Sequence, residues 1–303
     1  MLFKPMLAGT LAAPFIVGPA RFPLYVSRKL DGVRATIQDG RVYSRSLKLH
    51  PNKFTQAVFG SAALEGLDGE LILGPPNAPD VFRKSAAAVS TITGHPALTY
   101  WVFDVYDPKL GYADRFAKAT AIVKAYQGPA DIRMVDHQQI ADAMTLTLYE
   151  NRWVAEGYEG LMIRSLTGRY KQGRSTVNEG ALLKLKRFVD GEGVVTGFVE
   201  QMQNGNVATI NALGHTARSS HKQNKTSTGM VGAFWVKNCE TGVAHKVNTG
   251  PLTEHTCRLM WLAQAEYLGR IVKFRFQPTG IKDKPRFSQF VGWRAPEDMG
   301  EAA

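Results

Sequence analysis

The chain has 303 residues and a formal net charge of +11, from 37 Lys and Arg against 26 Asp and Glu. That length suits two domains with a sizeable core, and the basic balance points to a polyanionic partner, nucleic acid first. Two cysteines, Cys239 and Cys257, exclude a disulfide framework and a thiolate metal site and favour a reducing compartment, and no run approaches the roughly 20 apolar residues of a membrane span.

The opening stretch to Phe22 is weakly hydrophobic and lacks a signal-peptide layout. Leu24–Val26 reads as a strand. A turn at Asp31-Gly32 leads to a second strand, Val33–Ile37, closed by Asp39-Gly40. Arg41–Ser44 and Leu67–Leu73 read as further strands, and the run from Pro75 to Asp80 breaks the pattern. Phe82–Ile92 is predicted as an alanine-rich helix and Leu98–Val105 as an apolar strand. Tyr112–Tyr126 and Gln139–Glu156 carry helical spacing. Leu161–Ile163 reads as a strand, and Ala181–Phe188 as a strand and hinge. Beyond it, short strands at Val194–Val199, Val207–Ile210, Gly232–Val236, Val243–Val247 and Ile271–Phe276 surround one helix, Thr256–Ala265, the pattern of a small β-barrel. The polar, basic segment Gly214–Gly229 is long for a connection and reads as a mobile loop, either a clamp on DNA or a solvated insertion.

Five elements can be assembled into one chemistry. Lys29, at a strand end, is the candidate nucleophile, and Arg34 sits two residues past the turn, where it can contact anionic oxygens. Glu70 and Glu159 supply carboxylates of the kind that hold Mg²⁺. Phe103 can stack on a base, and Lys184 and Lys186 share one strand face. Cations and burial lower a lysine's pKa, and the same cations offset charge developing on a phosphate. Singly, Glu70 reads as a strand-end surface acid, Glu159 as a turn acid, Phe103 as core and the lysine pair as a solvated face; the order in which they occur changes that.

The order resembles the nucleotidyltransferase superfamily of ATP-dependent DNA ligases, RNA ligases and mRNA-capping enzymes, and within it the compact two-domain ligases of bacteriophage type. Lys29-Leu30-Asp31-Gly32-Val33-Arg34 matches the K-x-D-G-x-R motif, Ser44-Arg45 the S-R motif and Asp68-Gly69-Glu70 the D-G-E motif. Trp101-Val102-Phe103-Asp104, Glu159-Gly160 and Lys184-Leu185-Lys186 complete the set, and Phe3 to Ala8 resembles the segment that lines the nucleotide pocket. The run from Pro285 to Arg294 resembles the final motif but departs from the stricter R-x-D-K form, so that both Arg286 and Arg294 are candidates to orient pyrophosphate.

The resemblance implies an α+β fold: an ATP-grasp-like nucleotidyltransferase (adenylation) domain with antiparallel sheets over residues 1–188, then an OB-fold β-barrel over residues 189–303 that binds DNA. It implies sealing of 3′-OH/5′-phosphate nicks through lysyl-AMP and AMP–DNA, with ATP and Mg²⁺ (Mn²⁺ as the substitute) as cofactors. The implied catalytic residues are Lys29, Lys184, Lys186, Arg34 and Arg45. Arg28, Lys29, Leu30, Arg34, Glu70, Phe103, Glu159, Lys184, Lys186 and Arg286 would hold the nucleotide, and Glu70 and Glu159 the metal. Arg45, with Arg218, Lys222 and Lys225 of the polar loop, would contact DNA. The expected partner is nicked duplex DNA, bound by a monomer with no obligate protein partner and no membrane, in the cytoplasm of a bacterial or phage-infected cell, in replication, repair or recombination. RNA ligation and RNA capping share the lysine chemistry and stand as the alternatives; a purely DNA-binding protein predicts no covalent nucleotide.

Overall fold

The computed structural model describes residues 2–11, 21–278 and 284–295; part of the opening stretch to Phe22 lies outside them. The chain divides into two compact units, Met1–Arg187 and Phe188–Ala303.

The first unit begins with β1 (Met6–Leu7), β2 (Gly9–Leu11), β3 (Leu24–Arg28), β4 (Val33–Gln38) and β5 (Arg41–Tyr43). Next come α1 (Lys53–Phe59), β6 (Leu67–Leu73), α2 (Val81–Ser90), β7 (Leu98–Val105) and α3 (Tyr112–Ala125). It ends with β8 (Asp131–Met134), β9 (His137–Ile140), α4 (Ala143–Ala155), β10 (Gly160–Ser165), β11 (Gly173–Arg174) and β12 (Leu182–Lys186). Two five-stranded sheets result, ordered β2-β12-β10-β3-β9 and β5-β4-β6-β7-β8. Each has its own apolar core. Val26, Leu146, Trp153, Leu161 and Leu185 pack on the first sheet, and Ile37, Phe59, Leu71, Tyr100 and Ala119 on the second.

Two elements differ from their sequence pattern for local reasons. The helix predicted from Gln139 starts only at Ala143, because Asp142 caps it by accepting from the Thr145 N–H, while Gln139 pairs with Tyr25 in β9. Helix α1 has no counterpart in the sequence pattern; Asn52 caps it through the Thr55 N–H, and its own apolar periodicity is too short to register.

The second unit holds β13 (Val189–Asn204), β14 (Ala208–Ile210), β15 (Thr216–Arg218), β16 (Lys225–Asn238), β17 (Ala244–Asn248), α5 (Glu254–Leu262), α6 (Gln264–Tyr267), β18 (Ile271–Gln277) and β19 (Arg286–Arg294). Its core gathers Phe234, Val236, Val247, Val272, Phe274 and Phe290, with Cys257 and Met260 of α5 buried among them.

The expected fold class needs correcting in two respects. The first unit's sheets are mixed, since β12 pairs with β2, β7 with β8 and β1 with β11 in parallel. These partners are distant in the chain, and a reading of local turns captures only antiparallel neighbours. The second unit is OB-like, but its sheet is not a barrel closed by continuous ladders. The strands follow the ring order β13-β16-β17-β19-β18, and β17 meets β19 through one parallel pair, Asn248 with Gln289. Register shifts interrupt β13 against β16 and β18 against β19, and bulges of this kind break a regular seam.

The segment 214–229 is not an open loop either. Thr216–Arg218 pairs with Ala208–Ile210 as a hairpin, and Lys225–Ser227 extend the ladder against Asn204–Met202.

Candidate active site

Both sheets of the first unit contribute to one cavity of about 440 Å³. From the first sheet come Ser27 of β3, Met162 and Arg164 of β10, and Leu182, Lys184 and Lys186 of β12. The antiparallel register sets Met162 opposite both Lys184 and Ser27, and Arg164 opposite Leu182, so alternation puts these side chains on one face. From the second sheet come Arg34 of β4, Glu70 directly opposite it on β6, and Phe103 of β7.

Phe103 faces the cavity by the alternation of β7, whose Leu98, Tyr100 and Val102 point into the core while Trp101 and Phe103 lie on the other face. Asp68 pairs with Asp104 and Gly69 with Val102, which leaves Phe103 as the extra residue of a bulge.

Lys29 follows β3 directly, and its N–H donates to the Gly160 carbonyl at 3.0 Å. Gly160 has φ +147°, and a Cβ there would lie 2.1 Å from the Leu185 carbonyl oxygen, so this close approach admits only glycine. Gly32 is also closely approached, since a Cβ would meet Ile72 Cγ1 at 2.6 Å and the Leu71 carbonyl oxygen at 2.8 Å. The two glycines of K-x-D-G and E-G therefore hold Lys29 and Glu159 where they are.

The Lys29 ammonium pairs with Glu159 Oε2, and the Lys186 ammonium with Glu159 Oε1. Burial alone would raise the Glu159 carboxyl, but the two ammonium groups outweigh it and hold its pKa down at about 2. Lys186 titrates below the ordinary lysine range because of burial and the Lys29 charge. Lys184 is lowered by burial and then by Lys186, Lys29 and Arg174.

Glu70 goes the other way. Burial pushes its pKa up to about 7, against the attraction of Arg34 and Lys29. A carboxyl raised in the fold adds stability that is complete below its unfolded pKa and is lost as pH rises through the folded value. Glu70→Gln is therefore expected to stabilise the ligand-free protein at pH 8 and to leave it unchanged near pH 4.5. The full shift corresponds to about 3 kcal/mol, and the water that the cavity admits reduces this to about 1–2 kcal/mol. Urea unfolding at the two pH values measures it, and equal stability of the two proteins at pH 8 would refute it.

Arg34 is held by Asp68, with Nε donating to Oδ1 at 2.5 Å and Nη2 to Oδ2 at 2.6 Å, and its guanidinium lies 4.7 Å from the Phe103 ring centroid. Arg28 and Leu30 line the cavity, while the Arg28 side chain is spent on Glu156 and Asp136 and stacks on Trp153 and Tyr158. Arg45 is exposed at the cavity's lining. Thus Arg28, Lys29, Leu30, Arg34, Arg45, Glu70, Phe103, Lys184 and Lys186 all line one space, and Glu159 joins them through its lysines.

Arg218, Lys222, Lys225 and Arg286 belong to the second unit. Arg218 donates to the Asn206 carbonyl, Lys222 is exposed, and Lys225 is half-buried at the start of β16. Arg286 stacks on Phe287, whereas Arg294 is paired with Glu192 at 2.7 Å.

Sequence reasoning missed Phe82, Val135, Met162, Arg164 and Arg174 as lining residues. Alternation along β10 from Met162 would have found Arg164; Arg174 sits on a two-residue strand with no pattern to read.

Residues 5–186 match the family model of the ATP dependent DNA ligase domain, and residues 223–294 that of the DNA ligase OB-like domain. A probable DNA ligase of Pseudarthrobacter chlorophenolicus is 29% identical over 200 residues, 58% of this chain and 36% of that protein. A DNA ligase of African swine fever virus is 25% identical over 199 residues, 61% of this chain and 46% of its own. The chain thus spans less than half the length of these relatives. The crystal structure of Chlorella virus DNA ligase-adenylate is 28% identical with a TM-score of 0.51, covering 97% of this chain and 100% of that one. A Lig E DNA ligase described as binding DNA with a minimal scaffold has 21% identity and a TM-score of 0.71 over 97% of this chain and 100% of its own, a likeness of fold. With the first of these models matching more than half of the chain, and its matched span enclosing every residue that lines the cavity, the chain belongs to the ATP-dependent DNA ligase family.

Proposed function

We propose that the protein seals nicks in duplex DNA with ATP. The observation that carries this reading is Lys29: a lysine at a rigid strand end, sharing the Glu159 carboxylate with Lys186, in a cavity lined by cations and the rings of Phe82 and Phe103. Lys29 Nζ, once deprotonated, attacks the α-phosphorus of ATP; a P–N bond forms, the bond to the β-phosphate breaks and pyrophosphate leaves. A 5′-phosphate oxygen at the nick then attacks the same phosphorus, breaking the P–N bond and giving AMP–DNA. The 3′-OH attacks the 5′-phosphate, and AMP departs as the strand closes.

Lys184 and Lys186 offset charge on the reacting phosphate, Arg34 and Glu70 hold the nucleotide, Phe103 stacks on adenine and Arg45 serves the nick-dependent steps. A divalent cation fits this donor set narrowly. Glu70 is a half-buried carboxylate short of compensating charge, while Glu159 has both oxygens engaged by ammonium groups. Among the described residues no three His, Cys, Asp or Glu side chains converge, which suits Mg²⁺ held by one or two carboxylates and the substrate's phosphates. Mg²⁺, or Mn²⁺ in its place, would neutralise phosphate charge there. The functional boundary follows Phe188, and the protein acts as a monomer in the cytoplasm, in replication, repair or recombination.

DNA binding rests on phosphate contacts from the second unit. Lys222→Ala with Lys225→Ala is expected to flatten the dependence of log affinity on log salt by about 2, or roughly 0.9 per lost contact. Nicked-duplex titrations over a range of salt concentrations measure this, and an unchanged slope would remove both lysines from the interface.

The reading is tested by incubation with α-³²P-ATP and Mg²⁺ followed by a chase with nicked DNA. Label that forms on the protein and disappears as the nick closes supports it. Label discharged only by RNA ends, or formed only from GTP, would replace it with RNA ligation or capping.

A further inference from the structure

Tyr170 belongs to none of the motifs, yet it sits at the centre of a closed ring of hydrogen bonds. Its hydroxyl donates to Asp68 Oδ2 at 2.6 Å and accepts from the Met6 N–H at 3.1 Å. Arg34 Nη2 donates to the same Asp68 oxygen at 2.6 Å and to the Met6 carbonyl at 3.1 Å. Four residues from four separate parts of the chain thus fix one another, and both Tyr170 and Asp68 are buried. The Tyr170 ring is itself fixed edge-on against Phe3 and Tyr106.

We propose that Tyr170 is a positioning residue for nucleotide binding, setting the angle of the Arg34 guanidinium and the seat of the opening segment together. Two nitrogens of Arg34 are committed to this ring, and among the described residues Nη1 makes no hydrogen bond to the protein. The planar fork of a guanidinium is rigid, so fixing Nε and Nη2 also fixes Nη1, on a residue that lines the cavity. Met6 is followed directly by Leu7 and Ala8, which line the same cavity. Without the hydroxyl, Asp68 keeps Arg34 but the pair can swivel, and the Met6 N–H loses its acceptor. Burial keeps the phenol's pKa well above its ordinary value, so the hydroxyl retains its proton across the working pH range.

This inference rests on the proposed adenylation chemistry. Its test is single-turnover self-adenylation of the full chain against ATP concentration, for wild type, Tyr170→Phe, Arg34→Ala and the double variant. Tyr170→Phe should raise the half-saturating ATP concentration about tenfold, keep the labelled fraction at saturating ATP, and add nothing to the effect of Arg34→Ala. A merely structural role would lower the labelled fraction with the folded fraction and leave half-saturation where it was; that result, or strict additivity with Arg34→Ala, would overturn the proposal. If Tyr170→Phe does not fold, Asp68→Asn, which weakens the same ring at constant volume, must show the same tenfold rise. A wild-type protein that takes no label would instead fail the adenylation reading itself.

Discussion

Lys29→Ala is expected to lose covalent labelling by AMP by roughly 10⁴-fold or more, the scale on which removal of a covalent nucleophile acts. The variant should remain folded. Lys29 is one of two cations on Glu159, and Lys186 stays paired with that carboxylate, so no buried charge is left alone. Lys29→Arg separates charge from nucleophilicity: it keeps a cation beside Glu159 but offers a group that does not deprotonate in proteins, and it should be as silent as alanine. Both variants should still close a nick that already carries AMP, because the last step makes no bond to lysine. Arg45→Ala should show the opposite selectivity, labelling normally while failing on the pre-adenylated nick. Denaturing gels with labelled ATP, and closure of a synthetic adenylated nick, read the two halves of the reaction. Substantial label on Lys29→Ala would place the nucleophile elsewhere.

What the sequence revealed of this site depended on order along the chain more than on any residue alone. Lys29, Arg34, Glu70, Phe103, Lys184 and Lys186 could be named because they fall in sequence as a set, and all line one cavity. An aromatic in a wholly apolar strand reads as core by default; Phe103 is turned to the site because β7 alternates with Tyr100 and Val102 inward, a phase that depends on which residues meet the distant core partners. The Arg34–Asp68–Tyr170 ring was invisible for a similar reason. Tyr170 and Asp68 are 102 residues apart, and nothing near either one marks it as a partner. Of the hairpin at 208–218 the sequence pattern marks the first strand, Ala208–Ile210, while the second, Thr216–Arg218, falls in the segment expected to be a loop because three residues are too short for alternation to register. For Phe103 and Tyr170 the missing information was a contact between distant segments.

Glu159→Ala is expected to be the most damaging single change to both fold and chemistry. It leaves the Lys29 and Lys186 ammonium groups facing each other in a partly buried site without their shared carboxylate, and breaking a buried ion pair in this way costs roughly 3–5 kcal/mol. Acid titration offers a milder version of the same loss. The Glu159 carboxyl is held near pKa 2, below its ordinary value of 4.5. A carboxylate depressed by folding contributes stability that is complete above the unfolded pKa and disappears as pH falls through the folded one. The stabilisation, about 3 kcal/mol for such a shift, should therefore be intact at pH 5 and above and vanish between about pH 4.5 and pH 2. In that window wild type and Glu159→Gln should converge in urea midpoint, while at pH 7 the glutamine variant unfolds earlier. A gap that persists unchanged to pH 2 would mean that packing, not charge, is what Glu159 supplies. For catalysis the same ion pair sets a condition on the first step: Lys29 can become a nucleophile only by giving up a proton and with it its hold on Glu159. Once the lysine carries AMP its charge is gone, and Glu159 retains Lys186 alone. Glu159→Gln should accordingly weaken the cationic partner more than the nucleophile, lowering adenylation by roughly 10²-fold while Lys29 keeps its place on the strand end.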